Sequence, residues 1–549
     1  MNSPGPAIID RMGESALLVT LGTGVSPAVN NRVHALARNV RHMDVQGVLD
    51  IVPAYASLLV AFDDAVLTEQ ELVDRIQRAS DEAGPLTSPQ ARRHVIPVVY
   101  GGDAGPDLEG LAESRGLTPD ALVGRHSQAL YRVYFLGFMP GFAYLGGLDP
   151  LLASPRLPSP RVRVPAGSVG IAGDQTGIYP FTSPGGWQLI GRTDVRLWDV
   201  DRDAPALLAP TDEVRFVAAD SLNFSLHAAG NQADPHEPDS FPVFAVDEPG
   251  ALTTLQDQGR PGYGHLGLSA GGAMDLDALT AANKLVGNPA TAAALEVTWS
   301  GPAMRALATT VIAFTGADIE CRVDGTRVPS NVGWLVRAGS VVRLVGARAG
   351  ARCYLAVAGG FSAEPVLGSR STYLPGAFGG YRGRRLQTGD VLYANRHGQS
   401  PAELAGRIGE VGHPLVPGAS VLRYVPYRGQ GSVSADVRER ASSVLYTVSP
   451  ASDRMGVRLL PEEEGALAEG GGELISHGVV RGAIQLPPGG TPVVLGADHQ
   501  TTGGYPLLGV AARADWSRLA QLRPGDKVRL EPVTLEEARA GRKVEGSAR

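Results

Sequence analysis

The run Asp453-Arg454-x-x-x-Arg458 combines residues that could do chemistry. It joins one carboxylate to two guanidinium groups in a segment that leads into the apolar pair Leu459-Leu460. Guanidinium groups bind carboxylates and phosphates through two parallel hydrogen bonds. The run therefore predicts one of two things. It is either an anion or acyl-phosphate site, with Asp453 and Arg454 as catalytic residues and Arg458 as a substrate contact, or a solvated cluster of ion pairs.

The turn Thr501-Thr502-Gly503-Gly504-Tyr505-Pro506 is a second candidate, because it places hydroxyl groups among glycines. An acid and an imidazole, in the pair Asp498-His499, stand directly before it. We expect Thr501 and Tyr505 to contact a substrate, in one cleft with the Asp453–Arg458 run.

The first half of the chain offers a separate set of polar groups. Arg161 and Arg163 are two residues apart, so on a strand they share one face, which is either a solvated edge or an anion site. Gln175 and Tyr179 lie close by among Gly/Pro turns, and we expect them to form a second substrate-binding cleft with Arg161. His126 is either a core or surface histidine or a general base, because its ordinary pKa lies near neutrality.

Motifs of several other chemistries are absent from the sequence. None of the three lysines follows a glycine or neighbours a methionine, which excludes a P-loop and a biotinyl-lysine. No amidase signature and no HExxH or comparable His/Cys spacing occurs, so we expect no metal site. The run Gly267-Leu268-Ser269-Ala270-Gly271 matches G-x-S-x-G. Loop residues rather than a strand precede it, so we interpret the match as accidental.

The composition favours several turn-rich β domains. The chain has 549 residues, of which 70 are glycine, 41 are proline and 43% are apolar. A net charge of −7 gives no sign of a nucleic-acid partner. We expect neither a signal peptide nor a membrane span, since no run of 18 apolar residues occurs. Two cysteines, Cys321 and Cys353, favour buried thiols in a cytoplasmic protein.

Local patterns divide the chain into an α+β region followed by mainly β regions. Ser26-Pro27 predicts a helix to about His42, and Thr68-x-x-Glu71 is a capping box for a second helix. Short strand-like runs alternate with Gly/Pro turns between Tyr131 and Thr193, which is typical of a small barrel or sandwich. We expect a small α+β domain at residues 1–92, a barrel at 93–225, a polar linker at 226–241 and a region at 242–535 whose two subdomains divide near 401–417. A frayed helical tail is expected at 536–549. The stretch Ser369–Gly389, rich in glycine and arginine, predicts an ordered loop at a cleft.

Several ordered runs in the first half are specific, among them Gly137-Phe138-Met139-Pro140-Gly141-Phe142, Val164-Pro165-Ala166-Gly167-Ser168-Val169-Gly170 and Ser183-Pro184-Gly185-Gly186-Trp187. Through these runs, residues 8–225 resemble the allophanate hydrolase subunit 1 family, to which the B component of 5-oxoprolinase and the kinase-A inhibitor proteins belong. The resemblance implies a cyclophilin-like β-barrel, and the family pattern also has a histidine at His126.

A second set of runs includes Pro249-Gly250-Ala251-Leu252-Thr253-Thr254-Leu255-Gln256-Asp257, Ser452-Asp453-Arg454-Met455-Gly456 and Thr501-Thr502-Gly503-Gly504-Tyr505-Pro506. Through these runs, residues 249–530 resemble the subunit 2 family, which includes the C component of 5-oxoprolinase and part of the carboxyltransferase domain of urea carboxylase. The resemblance implies that both subdomains of 242–535 are barrel-like. Relatives often have arginine at the position of His499, so we do not carry it over as a catalytic residue.

The two resemblances together imply the fused B and C components of an ATP-dependent 5-oxoprolinase, which opens the 5-oxoproline lactam to glutamate. A separate A component is expected, with ATP and magnesium bound together with that partner and no biotin on this chain. The alternatives are a carboxyltransferase component of a biotin-dependent urea or amide carboxylase and a regulatory protein that inhibits a sensor kinase. The oligomeric state is open, and a homo-oligomer is compatible with the sequence.

Overall fold

The structure is a computed structural model that describes residues 7–82, 91–224, 236–409, 420–463, 465, 467 and 472–546. Within these ranges the chain forms a small α+β domain, two closed seven-stranded barrels and a ten-stranded sheet that lies between the barrels in sequence. The prediction of a mainly β protein with tandem barrels is confirmed. Most of the predicted linker and residues 410–419 lie outside the described residues. None of the described helices is long and apolar enough to cross a membrane.

The N-terminal domain packs two helices against an antiparallel sheet with the strand order β1-β2-β4-β3. Its elements are β1 (Ile8–Arg11), β2 (Ala16–Thr20), α1 (Pro27–His42), β3 (Val48–Pro53), β4 (Ser57–Phe62) and α2 (Glu69–Asp81). The predicted capping box of α2 is present: the Thr68 hydroxyl accepts a hydrogen bond from the Glu71 N–H at 3.4 Å, and the Glu71 carboxylate accepts one from the Thr68 N–H at 3.0 Å. Local sequence chemistry thus sets where α2 begins.

The first barrel closes through a parallel pair between its first and last strands. Its elements are β5 (Arg93–Tyr100), α3 (Leu108–Ser114), α4 (Pro119–Gln128), β6 (Tyr131–Leu136), β7 (Ala143–Gly146), β8 (Arg161–Val164), β9 (Ser168–Ala172), β10 (Gln175–Ile178), β11 (Ser183–Gly185), β12 (Gln188–Arg192) and β13 (Glu213–Ala218). The order around the barrel is β10-β7-β6-β13-β5-β12-β9, while β8 and β11 form a separate two-stranded ribbon. Arg93 pairs with Glu213 across the closing contact.

The ten-stranded sheet is built around a long antiparallel pair, β18 with β21. Its elements are β14 (Phe241–Glu248), β15 (Leu252–Gln256), α5 (Leu276–Leu285), β16 (Ala294–Thr298), β17 (Ala303–Ala306), β18 (Thr310–Val323), β19 (Thr326–Val328), β20 (Trp334–Val336), β21 (Val341–Val357), β22 (Phe361–Ser362), β23 (Val391–Ala394) and α6 (Pro401–Leu404). Strand β21 bonds β17 near its start and β16 near its end, so it joins two parts of the sheet. As predicted, 369–389 contains no named helix or strand.

The second barrel has the same strand order as the first. Its elements are β24 (Ser420–Pro426), α7 (Ala435–Ser443), β25 (Leu445–Val448), β26 (Gly456–Pro461), β27 (His477–Gly478), β28 (Ala483–Gln485), β29 (Val493–Leu495), β30 (Thr502–Gly503), β31 (Leu507–Ala511), α8 (Trp516–Gln521), β32 (Lys527–Pro532) and α9 (Leu535–Gly546). With the seven strands of each barrel numbered along the chain, both run 1-6-4-5-3-2-7 around the barrel. Here too the first and last strands pair in parallel, and β27 with β30 forms a separate ribbon.

The N-terminal sheet is buried on both faces. Leu17 and Val60 point to the helices of their own domain, whereas Leu18 and Leu59 belong to a hydrophobic cluster with Val479 and other side chains of the second barrel. Successive side chains on a strand alternate between faces, so one short sheet supplies both cores. The two halves of the chain therefore share hydrophobic core in addition to having cores of their own.

The prediction of a frayed C-terminal tail is wrong for helix α9. Ala538 is buried, and the arginines of α9 reach the N-terminal domain. Arg542 forms ion pairs with Asp64 and, at 3.0 Å, with Glu14, and Arg539 lies 3.3 Å from Asp64. The sequence near the C-terminus shows the positive charges, but their acidic partners lie more than 470 positions earlier and cannot be recognised locally.

Candidate functional site

Arg454 is buried between the ten-stranded sheet and the second barrel. Its guanidinium donates to both carboxylate oxygens of Asp498, at 2.8 and 2.9 Å, to Glu296 at 2.5 Å and to the Gly272 carbonyl at 2.6 Å. Glu296 also accepts hydrogen bonds from the Tyr354 hydroxyl and the Met274 N–H. Burial alone would lower the pKa of Arg454, but the charges of Asp498 and Glu296 raise it above its usual value. This is a charge network that joins two subdomains.

Asp453 and Arg458, which we expected in one cleft with Arg454, make different contacts from it. The Asp453 carboxylate accepts hydrogen bonds from the Met455 and Gly456 N–H groups at 2.8 and 3.2 Å, so it closes a turn. Arg458 lies on β26 with an exposed side chain. None of the three lines the cavity described below.

His126 lies in the core of the first barrel, the first of the two roles that the sequence left open beside that of a general base. It is fully buried in the first barrel, where Nδ1 lies 2.8 Å from the Tyr100 hydroxyl and Nε2 lies 3.0 Å from the Thr176 hydroxyl. Its ring stacks on Phe216, and burial lowers its pKa to about 3. A neutral ring with both nitrogens engaged is suited to support rather than proton transfer.

The second predicted cleft, formed by Arg161, Gln175 and Tyr179, does not appear as a common site. Arg161 forms an ion pair with Asp107 at 2.5 Å, and Tyr179 is buried in an aromatic cluster with Trp187, where burial raises its pKa. Gln175 lies at the start of β10 with a partly exposed side chain. The sequence shows that Arg161 and Arg163 can share one strand face, but it does not reveal that the Asp107 carboxylate pairs with Arg161.

The turn 501–506 reaches across to the first barrel. The Thr502 hydroxyl accepts a hydrogen bond from the Phe138 N–H at 3.1 Å, and the Tyr505 hydroxyl lies 3.5 Å from the Arg156 guanidinium. Thr501 is buried, and its hydroxyl has no hydrogen-bond partner within the described residues. Thr501 and Tyr505 therefore lie where the two halves of the chain meet rather than beside Asp453 and Arg458.

A cavity of about 320 Å³ opens near this meeting point, between the N-terminal sheet and the second barrel. Its wall combines apolar side chains with small hydroxyl groups and one imidazole. The lining residues are Leu18, Thr20, Gly22, Thr23, Ala56, Ser57, Gln430, Gly431, Glu473, Leu474, Ile475, Ser476 and His477. We call it the interface cavity. Because both halves supply its wall, it is the candidate functional site of the whole chain.

Charged and hydroxyl groups surround the interface cavity. Arg156 of the first barrel lies 3.7 Å from Glu473 in the cavity wall. The buried Tyr144 has a pKa raised by burial, although nearby Arg156 and hydrogen bonds with Thr502 and Ser476 oppose the shift. The site can thus bind a small ligand with polar groups, and a counter-charge for an acid lies close to its wall.

The sequence analysis missed His477 and Arg156. His477 follows a serine and precedes a glycine at the start of β27, a pattern that resembles many ordinary turns. The signal in the sequence was a histidine between two small residues, Ser476 and Gly478. It could not be separated from the other histidines without knowing which ones face a cavity.

Family comparisons cover most of the chain. Residues 7–208 match the family described as carboxyltransferase domain, subdomain C and D, and residues 266–532 match carboxyltransferase domain, subdomain A and B. The gap between them contains the predicted linker.

Individual relatives match each half over nearly their whole length. The chain is 45% identical to the B component of the 5-oxoprolinase of Escherichia coli O157:H7 over 206 residues, which is 38% of this chain and 93% of the relative. It is 37% identical to the C component of the 5-oxoprolinase of Escherichia coli K12 over 292 residues, which is 53% of this chain and 91% of the relative. A crystal structure of the protein TTHA0988 superposes with a TM-score of 0.81 at 37% identity, covering 94% of this chain and 99% of that one.

Proposed function

This chain belongs to the carboxyltransferase-domain family and joins the counterparts of the 5-oxoprolinase B and C components in one polypeptide. From that premise we propose that it acts as the B and C components of an ATP-dependent 5-oxoprolinase. In this reaction the lactam C–N bond of 5-oxoproline breaks, water supplies the new carboxylate oxygen, and the ring nitrogen becomes the amine of glutamate.

One observation carries the proposal: the two relatives are matched over 93% and 91% of their lengths, and the two family matches follow one another along one chain, at 7–208 and 266–532. The interface cavity supports it, because residues from both counterparts form one wall. A fusion of the two components would hold such a shared site in one fixed arrangement.

ATP would supply the phosphoryl group that activates the stable lactam carbonyl, and we place it on a separate A component. The residues of this chain do not fit a magnesium–triphosphate site of the usual kind, since no lysine follows a glycine. Within the described ranges, no group of three His, Cys, Asp or Glu residues could hold a metal ion. The role of this chain's residues is then to bind and orient the lactam and to exclude bulk water from it.

The experiment is release of glutamate from 5-oxoproline and ATP by the purified chain, with and without a candidate A component. We expect negligible turnover by the chain alone and robust turnover by the pair. Turnover by the chain alone would show that it contains a complete active site. No turnover with any A component would contradict the proposed function.

Carboxyl transfer is the second candidate, because both family descriptions name a carboxyltransferase domain. It remains secondary, since the relatives matched over nearly their full lengths are named as 5-oxoprolinase components. Biotin carboxylase and a biotinylated carrier, added with urea in place of the A component, would test it. Carboxylated product in that assay would favour this candidate.

A further inference from the structure

His477 has one nitrogen without a hydrogen-bond partner among the described residues, in the wall of the interface cavity. The residue is 6% exposed, and its Nδ1 lies 2.9 Å from the Gly478 carbonyl oxygen. A carbonyl oxygen only accepts, so Nδ1 carries the hydrogen and donates it. The nitrogen left without a partner is the buried Nε2.

The position of Nε2 is close to the cavity surface. A β-carbon placed on Gly431, another lining residue, would lie 3.9 Å from Nε2. Gly431 has a φ of +82° and no side chain, and a β-carbon placed on it would lie 2.8 Å from Leu474 Cδ1, so Gly431, Leu474 and Nε2 are neighbours in the cavity wall. A ligand N–H that reaches Nε2 would displace the flexible end of the Leu474 side chain.

A neutral imidazole whose Nδ1 carries the hydrogen can accept a hydrogen bond at Nε2. Burial lowers the pKa of His477, which favours the neutral ring with a lone pair on Nε2. A buried acceptor without a donor costs free energy, and a ligand N–H would relieve that cost. The hydroxyl groups of Thr20 and Ser57 line the same cavity and can donate to a carbonyl oxygen.

We propose that the interface cavity binds a small cyclic amide, with its ring N–H donated to His477 Nε2. The cavity volume of about 320 Å³ is at the small end of ligand pockets, which suits a single ring. An acidic substituent on the ring would point toward Arg156, whose guanidinium lies 3.7 Å from the Glu473 carboxylate and 3.5 Å from the Tyr505 hydroxyl. The identity of the lactam as 5-oxoproline rests on the proposed function.

The test measures binding of two probes to the full purified chain by calorimetry. The probes are 5-oxoproline and its N-methyl derivative, which keeps the carbonyl and carboxylate but lacks the N–H. We expect the wild-type chain to prefer 5-oxoproline by about tenfold, the value of one hydrogen bond to a buried acceptor. The His477→Ala variant should lose that preference and bind both probes alike.

His265→Ala is the matched control. His265 also contacts a single backbone carbonyl through Nδ1, Gly262 O at 3.1 Å, and burial lowers its pKa, but it does not line the cavity. This variant should keep the tenfold preference. His477→Leu provides a second variant if alanine destabilises the fold, and it should also lose the preference because leucine has no acceptor atom.

Three outcomes would overturn the proposal: no measurable binding of 5-oxoproline to the wild-type chain, no preference between the probes, or a preference that survives in both His477 variants. A failure of the proposed function would give a different result. In that case 5-oxoproline would still be preferred in a His477-dependent way, but no A component would give glutamate release.

Discussion

At the scale of single residues, the role of a charged group depends on partners far away in sequence. The segment around Arg454 has the composition of an anion site, yet the Arg454 guanidinium already forms ion pairs with Asp498 and Glu296. Arg458, four residues later, is on the exposed face of β26. Arg454 and Arg458 lie in the same short segment, yet Arg454 is a buried member of a charge network and Arg458 is exposed on a strand.

Replacing Arg454 with alanine should destabilise the protein. It would leave the buried carboxylates of Glu296 and Asp498 without their cation, and breaking a buried ion pair in this way costs about 3–5 kcal/mol. Urea denaturation of Arg454→Ala should show that loss. Arg458→Ala is the control, and it should change the free energy of unfolding by less than about 0.5 kcal/mol. Unchanged stability in Arg454→Ala, together with lost activity of the reconstituted complex, would instead favour the catalytic interpretation.

At the scale of elements, the sequence predicts what depends on neighbouring residues. Helix α1 ends at His42 as expected, and the Thr68–Glu71 capping box marks the start of α2. The closing strand pair of the first barrel joins Arg93 to Glu213, and no local pattern reveals such a contact. The cavity position of His477 likewise depends on the N-terminal sheet, which is more than 400 residues earlier.

Helix α9 should detach when Asp64 is neutralised. Asp64 is buried among Arg513, Arg539 and Arg542, so Asp64→Asn removes the shared counter-charge and leaves three arginines to repel one another. We expect the amide hydrogens of 535–546 to exchange faster, as measured by mass spectrometry.

Glu248→Gln is the control for the Asp64 variant. It removes a carboxylate that pairs with Arg343 on the exposed surface, and exchange in α9 should stay unchanged. Equal protection of α9 in the wild type and in Asp64→Asn would show that Ala538 and its apolar neighbours hold the helix without the charges.

At the scale of the whole molecule, the two halves are separate in family identity but not in packing. Leu18 and Leu59 share a cluster with Val479, and the Asp50 carboxylate accepts hydrogen bonds from the Gly264 N–H at 3.0 and 3.1 Å. Residues 93–225 and 242–535 form separate sheets, but Leu268 of the second half packs into the core of the first barrel, and the N-terminal domain shares a core with the second barrel.

Cleavage of the chain between 225 and 235 should leave a complex rather than two free fragments. A protease site inserted there would cut the connection, while the shared hydrophobic cluster would hold the parts together. We expect both fragments to co-elute in gel filtration and to keep the activity of the uncut chain with the A component. Separate elution of two compact fragments would mean that the shared core contributes little.

The two barrels share local details as well as a strand order. In each, a tyrosine near the start of the second barrel strand donates its hydroxyl to the carbonyl five residues earlier: Tyr131 to His126 at 2.9 Å and Tyr446 to Ala441 at 2.8 Å. Gly167 and Gly482 precede the fourth barrel strand with φ of +82° and +84°. Matching positions of the two barrels thus meet the same local constraints, and a substitution that disturbs one barrel should have a similar effect at the equivalent position of the other.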